Sequence, residues 1–397
     1  MENSVFDATS SMLGYIYQVR YALLLALKKI ADANDPDDCF ISIEKLDDIA
    51  FEEKGNPVEL LQAKYHGSPG NLTDRSPDLW KTIRVWSEMI QKESCLIEEA
   101  SFTLLTTEKA APNSIASYLG TEEKNRNVSE ALKNMREISK EKSSIANKKA
   151  YVSFNLLSEN EQEILLSSVY VITKSPDILT VEEKIKKQIR LSVSASHINA
   201  FTSRLEGIWF KKVIEVMQDT DQNGINIGEL VDYIDDLRTQ FLPGNLPADF
   251  DEHNPDEIEI EDESRVFMRQ LSLIGLNSKA IRVAVINYYK AYEQRSKWSR
   301  EGLVKPGEIQ KYLNRLKDEW INQSVLIEMD YDLEQDDNEK IKYGRELYKE
   351  CQKNSILPIR PGFKSAYVAR GTYHTLSDKM AIGWHPDFSS LLSNINC

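Results

Sequence analysis

Asp48, Gln62 and Lys64 are the residues whose types and spacing point most directly to chemistry, with Gln62-Ala63-Lys64 beginning fourteen residues after Asp48. A carboxylate and an amide carbonyl are oxygen donors suited to a hard divalent cation, Mg2+ or Mn2+. An ammonium beside them can stabilise an attacking hydroxide and a pentavalent phosphate, so the three together meet the demands of phosphodiester hydrolysis. Asp48 would supply the carboxylate from the end of one strand, and Gln62 and Lys64 would stand on the next. Period-two alternation over Glu59–Lys64 puts Gln62 and Lys64 on one face and turns Leu61 and Ala63 toward a core. Cys39–Ile43 alternates like a strand, and the turn Lys54-Gly55-Asn56-Pro57 makes the two segments a hairpin bent around the site. Upstream, Gly14–Arg20 opens a helix in which Gln18 shares a face with Gly14, Tyr21 and Leu25, so Gln18 is open to roles as a satisfied core amide and as a ligand.

The spacing resembles the D…(E/Q)xK signature of the PD-(D/E)xK phosphodiesterases. With Gly14, Tyr15, Tyr17, Gln18, Glu44, the Asp47-Asp48 pair and the Trp80–Trp86 helix, residues 1–110 are similar to the restriction-like nuclease domain of bacterial anti-phage effectors, including the CBASS-associated double-stranded DNA endonucleases. The resemblance implies a metal site built from Gln18, Asp48, Gln62 and Lys64, with Asp48 and Gln62 as the metal ligands. Two departures stand out: Gln18 replaces a glutamate, and Gln62 replaces a carboxylate. One formal negative charge is left unless Glu44 or Asp47 turns inward, which favours weak metal binding in the resting state.

At 397 residues the chain suffices for two or three domains, each with its own core. A net charge of −14 is unusual for a DNA-binding protein, so any nucleic-acid groove must be local. Cys39, Cys95, Cys351 and Cys397 show no CxxC spacing and favour a reducing bacterial cytoplasm. The apolar run Tyr21–Leu27 is too short to span a bilayer and reads as a buried helix, so no membrane partner is expected.

Along the chain, Pro77–Trp86 reads as a helix capped by Ser76, with a stripe of Leu79, Ile83, Trp86 and Ile90, and Ala100–Thr107 as another strand. An extension over residues 111–242 is helical and mixed. Val128, Leu132, Met135 and Ile138 make an apolar seam in it, and Lys124, Arg126, Lys133, Arg136, Lys140 and Lys142 offer either a phosphate-facing surface or a solvated helix face. Val169–Ile172 reads as a strand. Asp219–Gly224 matches the first positions of an EF-hand but has Leu230 where the bidentate glutamate belongs, so it reads as a polar turn. Residues 243–262 form an acidic linker.

From Arg265 onward, the phrases Arg295-Ser296-Lys297-Trp298, Asp318-Glu319-Trp320, Arg370–His374 and Gly383-Trp384-His385-Pro386 resemble the C-terminal domain of the ABC three-component systems, the Lamassu-type defence family, across residues 263–397. His374 and His385, with Asp378 and Asp387 nearby, are open as metal ligands or as hydrogen-bonded residues of a packed subdomain. The expected class is α+β: a restriction-endonuclease-like α/β domain followed by a mostly α-helical C-terminal region. Together the resemblances imply a deoxyribonuclease effector acting on double-stranded DNA, controlled by an SMC/Rad50-like ATPase with a small third subunit, and by assembly into a homo-oligomer, dimer or tetramer. No GxxxxGK[ST] motif occurs, so ATP sensing would belong to a partner. Trp298, Trp320, Arg370 and Trp384 are expected as interface anchors. A catalytically degenerate adaptor or scaffold is the alternative.

Overall fold

The computed structural model describes residues 9–93, 96–141, 145–219, 224–252, 265–334, 336–353 and 357–393. The chain divides into two compact units, Met1–Ser192 with Phe201–Asp235, and Val193–Ala200 with Asp236–Cys397. The class is α+β, with a mixed sheet in the first unit and helices throughout the second.

The first unit is built on six strands in the order β7-β5-β3-β2-β1-β8. β1 (Cys39–Ile43), β2 (Ile49–Glu53) and β3 (Asn56–Lys64) form an antiparallel meander. The turn between β2 and β3 is only Lys54-Gly55, with φ of 51° and 84°, the paired left-handed conformation of a tight hairpin turn. Asn56 and Pro57, expected in that turn, belong to β3. The meander also corrects the place of Asp48, which lies in the loop between β1 and β2 rather than at a strand end. β5 (Ser101–Thr106) runs parallel to β3 and pairs Lys64 with Thr106, and β7 (Val169–Ile172) runs parallel to β5. β4 (Asn71–Leu72) and β6 (Lys109–Ala110) form a small parallel pair, and β8 (Ile225–Asn226) closes the far edge against β1.

Helix α1 (Thr9–Asp32) begins five residues before Gly14 and buries Tyr17, Tyr21, Leu23, Leu24 and Leu27. Helix α2 (Pro77–Lys92) carries the expected stripe. Leu79, Ile83, Trp86 and Ile90 are all buried against Leu60, Phe102 and Leu104 of the sheet, each such side chain contributing about 1.5–3 kcal/mol. Ser76 precedes this helix but gives its side chain to Thr73 rather than capping it. The boundary expected at residue 110 falls inside this core, because Leu132, Met135, Tyr151, Phe154 and Val169 pack into the same cluster as Trp86. Tyr151 and Phe154 stand on a helix, Lys148–Asn155.

Residues 220–223 of the calcium-loop match lie outside the described residues, as do residues 253–262 of the expected acidic linker 243–262. Gly224 has its own reason: at φ 151° a Cβ there would lie 2.7 Å from the Ile41 carbonyl oxygen, so the approach to β1 requires glycine.

In the second unit, helices Val266–Leu273, Ser278–Arg300, Glu308–Glu328, Asp337–Lys353 and Ala366–Asp378 enclose Phe267, Trp298, Tyr312, Leu347, Tyr373 and Trp384. Gly371 lets Ala366–Asp378 cross Ser278–Arg300 closely, since a Cβ at that position would fall 1.9 Å from the Asn287 carbonyl oxygen. Beside the crossing, the buried Arg295 guanidinium donates to the hydroxyls of Thr372 and Thr375, and burial pulls its pKa down to about 10. Gly371→Ala should therefore destabilise this unit by about 1–3 kcal/mol, the cost of overpacking outweighing the better helix propensity of alanine. Urea unfolding checks this, and an unchanged midpoint would contradict the close crossing.

Candidate active site

The loop Glu44–Asp48 is pinned at both ends by the pairing of Ile43 with Ile49 and closed by the Glu44 N–H donating to the Asp48 carbonyl at 3.2 Å. Glu44 takes a left-handed φ of 57°, an uncommon conformation for a residue with a side chain. The consequence is that the two adjacent aspartates diverge. Asp47 is buried and Asp48 sits at the rim, its side chain 14% exposed.

Asp48 meets β3 through three donors. Its Oδ2 accepts from the Ala63 backbone N–H at 2.8 Å and from Lys64 Nζ at 3.1 Å, and its Oδ1 accepts from Gln62 Nε2 at 3.0 Å. Lys64 Nζ also donates to Gln62 Oε1 at 2.6 Å. The structure thus brings Asp48, Gln62 and Lys64 into direct mutual contact. Gln62 and Lys64 do share a face, as alternation requires, but Gln62 is buried along with Leu61 and Ala63 because β3 is covered on both sides.

Asp47 is the residue that spacing alone underrated. Its carboxylate accepts from Gln62 Nε2 and, at 2.8 Å, from the indole N–H of Trp86, both inside the protein. Burial raises its pKa to about 6, against the lowering effect of the Gln62 and Trp86 hydrogen bonds and with a further push from the Asp48 charge. The Asp47-Asp48 pair and a tryptophan needing an acceptor were the available signals.

Gln18 joins this group at one remove. It hydrogen-bonds to Glu44, an exposed carboxylate pushed above its ordinary range first by loss of water and then by the charge of Asp48. Gln18 is buried, and its Oε1 has no hydrogen-bond partner among the described residues. Gln18 and Glu44 also line an apolar groove of about 490 Å3, with Met12, Tyr15, Phe210 and Ile214 on its walls.

Residues 267–392 match the family model described as C-terminal domain 7 of the ABC-three component systems. The match supports membership of the chain in an ABC-three component defence system. Other subunits of such a system are thereby implied. No curated protein matches the chain. Among solved structures it is similar to an Acinetobacter baumannii Cap4 receptor, a SAVED/CARF-domain protein with a bound cyclic trinucleotide, at 14% identity and a TM-score of 0.33 over 66% of this chain. The chain spans 58% of that receptor, and at this TM-score the likeness carries no argument.

Within the ABC-three component domain several expectations change. Trp298 and Trp384 are fully buried, and the Trp298 indole donates to the Pro247 carbonyl at 2.8 Å, so both are core rather than interface anchors. Trp320 is partly buried and donates to the Gly383 carbonyl, while Arg370 is spent on the Gln352 carbonyl. His374 is enclosed between the rings of Phe267 and Tyr348, and burial drives its pKa down to about 3. Asp378 turns to Arg265 and the Phe267 N–H, so it makes no ligand pair with His374. His385 Nδ1 accepts from the Asp387 N–H, and Asp387 pairs with Lys340 at 2.8 Å. No helix among the described residues is long and apolar enough to cross a membrane.

The Asp47 environment yields a prediction with a definite sign. Since the fold raises its pKa from 3.8 to about 6, Asp47 favours the folded state below about pH 4, and that contribution is lost as pH rises through about 6. Asp47→Asn, which cannot titrate, should flatten the change of stability between pH 4 and 6. Urea midpoints measured at both ends of that window decide it.

Proposed function

We propose that the N-terminal unit is a PD-(D/E)xK-type deoxyribonuclease, and that the chain is the effector of its three-component system. The observation that carries this is the contact of Lys64 with both Asp48 and Gln62, held at the C-terminal end of β3 with 21% and 14% of the Lys64 and Asp48 side chains reachable by solvent. Asp48 and Gln62 would present the oxygen atoms for Mg2+ or Mn2+, with Glu44 beside Asp48 and Gln18 beside Glu44 as further oxygen donors. An all-oxygen donor group that includes a buried carbonyl without a partner among the described residues fits a hard cation. The ion would supply Lewis-acid polarisation of the scissile phosphate. Lys64 would place its charge on the phosphate oxygens and the incoming water as the P–O bond breaks. Asp47, enclosed and hydrogen-bonded to Gln62 and Trp86, would orient the Gln62 amide.

Double-stranded DNA is the proposed substrate. An SMC/Rad50-like ATPase, a small third subunit and assembly into a homo-oligomer are the proposed controls, acting through the C-terminal domain. One observation favours the adaptor reading instead: Lys64, Gln62 and the Ala63 N–H already occupy the oxygens of Asp48, so a cation must displace the lysine.

Cleavage of linear DNA by the purified chain and its neighbouring subunits separates the two. Asp48→Ala and Lys64→Ala should each lower metal-dependent cleavage by about 100-fold or more while keeping the wild-type circular dichroism. A folded Lys64→Ala protein cutting at the wild-type rate would falsify the assignment. A wild-type chain that binds DNA but never cuts it with either metal would establish the adaptor.

A further inference from the structure

A second cluster lies at the same end of the sheet and takes no part in the chemistry above. His66 follows β3 by two residues, Glu108 follows β5 by two, and Asp78 stands in the first turn of α2. Because β3 and β5 run parallel with Lys64 opposite Thr106, His66 and Glu108 emerge side by side. Their backbones are latched: the His66 N–H donates to Thr107 Oγ1 at 2.9 Å, Thr107 Oγ1 donates to the His66 carbonyl, and the Thr107 N–H donates to the Lys64 carbonyl. His66 Nε2 is 2.7 Å from Asp78 Oδ2, and one ligand atom from each of the three residues lies within 4.8 Å of the others. A Cβ on Gly70 would come within 3.2 Å of Glu108 Oε1, so glycine leaves that carboxylate room.

We propose that His66, Asp78 and Glu108 form a binding site for a divalent transition-metal ion of the Zn2+ or Mn2+ class, distinct from the Asp48 group. Bonds of about 2.0–2.2 Å hold ligand atoms roughly 3–4 Å apart, a spacing that three atoms lying within 4.8 Å of one another can adopt. One imidazole with two carboxylates selects such ions over Mg2+, which prefers oxygen and water. Charge points the same way, since two carboxylates face one imidazole and no lysine or arginine pairs with either among the described residues. The ion would take the place between Nε2 and Asp78 Oδ2, and three protein ligands leave further positions open to water or a phosphate oxygen. His66 and Asp78, with side chains 38% and 21% exposed, are reachable from solvent.

Calorimetric titration of Zn2+ into the full-length chain, stripped with chelator, tests the site by binding alone. One Zn2+ equivalent should weaken by about tenfold or more in His66→Ala and in the isosteric Glu108→Gln, and should persist in Asp48→Asn. Unchanged isotherms in both His66→Ala and Glu108→Gln, or loss of that equivalent in Asp48→Asn alone, overturn the proposal and leave His66–Asp78 as a local ion pair. Since Zn2+ binding is read without DNA, its failure is separable from failure of the nuclease reading.

Discussion

Two neighbouring carboxylates that must face opposite ways set the terms for the first unit. Asp47 goes inward only because Trp86 and Gln62 meet it there, and Asp48 stays at the rim only because the Ala63 N–H and Lys64 hold it. A buried carboxylate without donors would cost several kcal/mol, so α2 must place Trp86 opposite the β1–β2 loop, and β3 must place Gln62 between the two aspartates. The left-handed Glu44 is the backbone expression of the same demand, since it turns the loop tightly enough for one aspartate to enter the core.

That constraint reaches beyond the site. Trp86 can serve Asp47 only if α2 is seated, and its seat is made by β5 and by the helices that follow residue 110. Trp86 packs against Phe102, and Trp80 against Tyr151 and Phe154, with ring centroids 5.3, 4.4 and 6.1 Å apart. The chemistry-bearing loop and the late helical segment are therefore one cooperative body, and truncation near residue 110 would remove the wall on which the site leans.

What could be read from sequence was local and periodic. The 3.6-residue stripe from Leu79 to Ile90 matched α2 because that helix buries one face, whereas Cys39–Ile43 and Glu59–Lys64 are strands as alternation suggested but are buried at consecutive positions, so alternation marked the element and not its exposure. Asp48, Gln62 and Lys64 could be grouped because a meander brings nearby strands together. Asp47 was harder, as its fate rests on an indole 39 residues away. β7 joins the sheet after a long excursion that no periodicity announces, and Trp298 and Trp384 illustrate that an aromatic beside charges reads alike in a core and at an interface. Beyond these elements, the site's chemistry rests on resemblance and proposal, whereas the C-terminal domain match rests on an ordered run of residues.

The basic residues between Lys124 and Lys142 bear on how DNA could be held. Arg126 stacks on Tyr170 and gives its guanidinium to the carbonyls of Leu119, Leu166, Ser167 and Val169, closing helix and strand ends. Arg136 donates to the Gln162 side-chain oxygen and the Glu159 carbonyl, Lys133 faces Glu130 at 3.7 Å, and Lys142 lies outside the described residues. Two of the strongest phosphate ligands in the segment are thus turned inward as supports of the fold. In a chain of net charge −14, a groove that draws little from this stretch would bind DNA weakly alone. Under the nuclease proposal, a partner or a second copy that adds positive charge would then set when the Asp48 group meets its substrate, which makes weak intrinsic affinity a form of control.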